Sequence, residues 1–93
     1  MSLLAGSCVR VDDRWPERHG PVHIRTPHYL RGHKGRIVRH LGDFADPEQL
    51  AFGRPAQRRA LYHVAFDARG LWADAEPAEI LVEIFDHWLI PEA

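Results

Sequence analysis

In residues 60–67, ALYHVAFD, Tyr62, Val64 and Phe66 fall on one face of an extended chain and Leu61, His63 and Ala65 on the other. This alternation predicts a strand, and EILVEIF (79–85) predicts a second. SCVRV (7–11) places Val9 and Val11 on a common face, GRIVRH (35–40) predicts a strand entered through Gly35, and HWLIP (87–91) a short one stopped by Pro91. Residues 12–32 predict a loop, because Pro16, Pro21 and Pro27 break regular structure and Gly20 and Gly32 free the backbone at turns. Residues 41–59 predict a long connection holding one short helical turn at PEQLA, capped by Asp46. A connection of that length points to a functional or partner-bound segment. Five short strands between Gly and Pro punctuation predict an all-β fold. The form expected is a small, twisted, partly open SH3-like barrel with long loops, a single domain over residues 1–93.

Composition sharpens this picture. The 93 residues are 45% hydrophobic, with three Trp, two Tyr and four Phe, so the chain supports a core and is no disordered tail. Twelve Lys and Arg against thirteen Asp and Glu argue against a dedicated nucleic-acid binder, which usually carries a strong positive excess. The charges are nevertheless segregated. Residues 18–42 hold six basic residues and no acid, whereas residues 70–93 hold six acids and no Lys or Arg. Such a chain has either an internally complementary surface or two patches for different partners, unless folding simply disperses its charges. Cys8 is alone, which excludes an intramolecular disulfide or a CxxC site; beside Val9 and Val11 it reads as a small buried hydrophobe. No apolar run approaches the ~20 residues of a membrane span. The opening MSLLAGSCVRV lacks a signal-peptide pattern, so the expected compartment is the cytoplasm.

Most candidate chemistry fails to complete. His23, His28 and His33 recur every five residues, which matches neither a helix face nor a strand face, and they have no Cys or adjacent carboxylate to form a zinc site. No nucleophile–base–oxyanion constellation is visible. A nucleic-acid reading rests on RGHKGRIV, similar to the turn and strand of KOW-type SH3-like modules, with Arg31, Lys34, Arg36 and Arg39 available to phosphates. The alternative is that Gly32 and Gly35 only make the turn. Arg25 lies two residues before Pro27, in a segment stiffened by Thr26, Pro27 and Tyr29. It is either ordinary surface or a rigidly presented guanidinium fork for a fixed anion.

The blocks HIRTPHYLRGHKGRIV, FADPEQLAFGRPAQRRALYHVAF, LW and VEIFDHWLIPEA resemble the C-terminal half of the nitrile hydratase β subunit over roughly residues 6–93. His23, Arg25, Pro27, Tyr29, Arg31, Gly32 and Gly35 match its first motif in order. Phe52 stands where many members carry His before the loop glycine. The resemblance implies a cobalt or iron enzyme that hydrates nitriles to amides, its metal held in a Cys claw of the α subunit and no cofactor in this chain. It places Arg25 as the donor to the oxidised metal-ligand cysteines, and Trp15, His23, Thr26, Tyr29, Arg31 and Phe52 at the subunit interface. It further implies that the helical half of the β subunit is a separate chain, as in toyocamycin nitrile hydratase and thiocyanate hydrolase. The alternatives are a stand-alone KOW-like binding module and an assembly or metal-delivery accessory of the same enzyme.

Overall fold

The computed structural model describes residues 3–19, 26–51, 53 and 55–92. Five strands form one antiparallel sheet: β1 (Cys8–Val11), β2 (Lys34–Ala45), β3 (Arg58–Asp67), β4 (Glu79–Phe85) and β5 (Leu89–Pro91). Their order is β4-β3-β2-β1-β5. β4 and β5 are the two ends and do not pair, so the sheet is the partly open all-β barrel that the alternation predicts.

The expected strand 35–40 is too short. β2 runs to Ala45 and β3 starts at Arg58, which reduces the expected 41–59 connection to residues 46–57. Gly42 reads as a breaker, yet the strand passes through it at φ +134°. The register explains how. Ile37 faces Val64 while Arg39 faces His63, and His40 faces Tyr62 while Gly42 faces Leu61. Val38 and Leu41 are therefore extra residues at two bulges, which bend and twist the strand and help the sheet to curl.

The short helix α1 (Pro47–Leu50) forms where PEQLA predicts it, with the Asp46 side chain accepting from the Glu48 N–H at 2.9 Å. A second, α2 (Ala68–Leu71), was not expected; the Asp67 side chain accepts from the Arg69 N–H at 3.0 Å and starts it. The expected loop 12–32 contains 3₁₀ turns at Pro16–His19 and His28–Leu30, and another at Asp86–Trp88 delays the last strand to Leu89.

Tyr62, Val64 and Phe66 form the centre of the core, joined by Val9, Val11, Leu30, Ile37, Ile84, Trp88 and Leu89. Cys8 corrects the expectation of burial. Val9 and Val11 point inward, so Cys8, one residue out of phase with them, is exposed. Gly35 packs beneath β3: a Cβ there would lie 2.7 Å from Val64 Cγ1 and 2.9 Å from Phe66 Cε1. Gly32 has the other glycine role, a turn at φ +81° whose N–H bonds the Val11 carbonyl at 2.8 Å.

Candidate functional site

The segment that follows residues 20–25 is built as a rigid stem. Thr26 is buried, Pro27 opens the 3₁₀ turn, and the Leu30 N–H closes onto the Pro27 carbonyl at 3.2 Å. Leu30 is fully buried and anchors the turn in the core. The β1 end then holds it from the other side, since the Val11 N–H bonds the His33 carbonyl at 2.9 Å.

Arg31 is turned into this stem. It is 7% exposed, with its guanidinium carbon 4.5 Å from the Trp15 ring centre and 5.0 Å from that of Trp88. Its Nη1 donates to the Arg14 carbonyl at 3.4 Å and its Nη2 to the Thr26 carbonyl at 3.5 Å. Both bonds are long, and contact of the cation with two indole faces adds to them. Arg14 lies 4.2 Å from Trp88 and Arg18 lies 5.1 Å from Trp15. The contacts thus run Arg14, Trp88, Arg31, Trp15, Arg18. Trp15 is half-buried and its Nε1 donates to Asp13 at 2.9 Å.

A second polar group ties α1 to the turn before β5. Glu48 Oε2 accepts from Trp88 Nε1 at 3.1 Å and also contacts His87 Nε2. Asp46, 3% exposed, accepts from Arg59 Nε at 2.9 Å as well as capping α1. Ligand atoms of Asp46, Glu48 and His87 lie within 4.8 Å of one another, but all three already engage protein groups. The cluster is a latch between two elements. A nearby cleft of about 190 Å³ is lined by Leu3, Arg59, Asp86, His87, Leu89 and Pro91, and among these described residues there is no nucleophile–base pair.

The expected site residues fall into two groups. His23, Arg25 and Phe52 lie outside the described residues. Thr26, Arg31 and Trp15 converge within the stem, where Arg31 faces inward. Tyr29 is 40% exposed and meets Trp72, 45% exposed, at 5.5 Å between ring centres. Of the four residues offered to phosphates, Arg31 is buried, Lys34 is exposed, Arg36 pairs with Glu79 at 2.7 Å, and Arg39 donates to His63 at 3.4 Å. The reading by pattern missed Arg14, Trp72 and Trp88. Residues 15, 31 and 88 meet only in the fold, and no spacing rule links them.

Residues 3–91 match the family described as nitrile hydratase beta subunit, C-terminal. A nitrile hydratase subunit beta of a Rhodococcus species is 35% identical over 89% of this chain and 34% of its own length. That of Rhodococcus erythropolis is 34% identical over 95% of this chain and 41% of its own length. The chain therefore spans between a third and about two-fifths of these curated relatives. A recombinant apo-enzyme structure of thiocyanate hydrolase from Thiobacillus thioparus superposes with a TM-score of 0.82 at 26% identity, over 97% of this chain and 75% of that one.

Proposed function

The chain belongs to the family formed by the C-terminal domains of nitrile hydratase β subunits, and on that premise we propose that it serves a nitrile hydratase as a β-type component. The observation that carries the reading is the match over residues 3–91, which includes the whole H-I-R-T-P-H-Y-L-R-G segment. In this reading the metal, cobalt or iron, belongs to an α-type partner and supplies Lewis acidity toward the nitrile or its attacking oxygen nucleophile. This chain supplies Arg25, whose planar fork donates to the oxygens of the oxidised cysteines around that metal and offsets their charge.

The proposed interface follows the residues expected from the sequence, with one change. Tyr29, joined by Trp72, presents aromatic surface to the partner, while Arg31 acts from inside the stem. The chain is to be co-expressed with an α-type partner bearing a C-x-x-C-S-C claw and with the helical N-terminal part of a β subunit. A stable complex that hydrates nitriles is the expected result; no complex, or an inactive one, overturns the reading. Arg25→Lys in that complex should lower kcat at least about 100-fold with assembly intact, in line with loss of one oriented donor. An accessory used only in maturation would tolerate the change once the enzyme is mature.

A further inference from the structure

Arg31 occupies an unusual position for a surface-type residue. A buried guanidinium is unfavourable unless its charge and donors are met, and two indole rings and two backbone carbonyls are among the groups it meets here. Those carbonyls belong to different segments. Arg14 precedes the first 3₁₀ turn, and Thr26 is the residue directly after Arg25. One side chain therefore bridges residues 14 and 26, and it does so from the end of the 3₁₀ turn that Leu30 anchors in the core.

We infer that Arg31 is a positioning residue, which clamps Thr26, the residue directly after Arg25, by holding its carbonyl from the slot between Trp15 and Trp88. The inference rests on the proposed function for its consequence in catalysis, although the clamp itself belongs to the chain alone. The geometry requires arginine. A planar fork reaches both carbonyls while lying against the two rings; a Lys ammonium keeps the charge but presents a single point. Arg25 is one Cα step, ~3.8 Å, from the clamped residue, so freedom at Thr26 passes directly to it. A misplacement of ~1 Å at a group that orients reacting partners costs on the order of 100-fold in rate.

Arg31→Lys in the full chain tests this by amide hydrogen exchange. Residues 26–31 should exchange at least about tenfold faster while residues 61–66 of β3 keep their protection. Unchanged exchange in 26–31, or equal loosening of β3, overturns the inference, the latter because it marks Arg31 as a general core residue. In the complex the same variant should lower kcat at least about tenfold with little change in KM, and an unaltered kcat overturns the clamp's role in catalysis. A wild-type complex without hydratase activity would count against the proposed function, and the exchange comparison would still decide the clamp.

Discussion

Two glycines three positions apart in one motif have different physical tasks. Gly32 is required for its backbone angle, φ +81°, whereas Gly35 has an ordinary backbone and is required because β3 packs against it. Gly35→Ala would place a methyl group 2.7 Å from Val64 Cγ1 and 3.1 Å from the Ala65 carbonyl oxygen, and a carbonyl in a ladder has little room to yield. The expected cost is about 1–3 kcal/mol, the usual range for overpacking, read as a lower urea midpoint at unchanged slope. An unchanged midpoint would mean that the strands separate there at no cost. The sequence marked both glycines as turn residues; the close approach at Gly35 depends on a strand 29 residues later and has no local sign.

At the scale of elements, strands 79–85 and 60–67 were legible because alternation reports a half-buried surface directly. β2 was not, because bulges at Val38 and Leu41 take the strand out of phase and Gly42 imitates a stop. The segregated charges resolve in part into complementarity: Arg36 of the basic stretch pairs with Glu79 of the acidic one at 2.7 Å, and Glu92 pairs at 2.7 Å with Arg10, which lies outside the basic stretch. Such exposed pairs add little stability individually. The polar group that matters more is Asp46, which caps α1 and pairs with Arg59 while almost wholly buried. Asp46→Ala should cost about 1–2 kcal/mol through loss of the cap, and more if Arg59 finds no other acceptor. Asp46→Asn keeps a capping oxygen and should fall between, so thermal melts should rank wild type, Asn, then Ala. Equal melting of Asn and Ala would assign the whole effect to the ion pair.

At the scale of the whole molecule, the described surface carries an aromatic pair, Tyr29 and Trp72, from the stem and the end of α2. The two rings meet at a tilt of 37° and are partly exposed; large rigid side chains of this kind dominate binding energy at interfaces. Tyr29→Ala or Trp72→Ala should weaken assembly with the proposed metal-bearing partner about 10–100-fold, a loss in the range typical of interface hot spots. The melting temperature of the isolated chain should stay within a degree or two. Titration of labelled partner measures the first and a thermal scan the second; undiminished affinity would remove this face from the interface. Among the described residues no helix is long and apolar enough to cross a membrane.

By itself the sequence determined the all-β class, the two most regular strands, the capped turn at Asp46 and the family, because each is written in near-neighbour spacing or in an ordered motif. Only the tertiary structure decided that Arg31 faces inward between Trp15 and Trp88, that Gly35 is a packing glycine, and that Asp46, Glu48 and His87 form a latch. Each of those outcomes is a meeting of residues far apart along the chain. Cys8 shows the difference at a single position: its apolar neighbours suggested burial, and the two-residue period of the strand they lie on turned it outward.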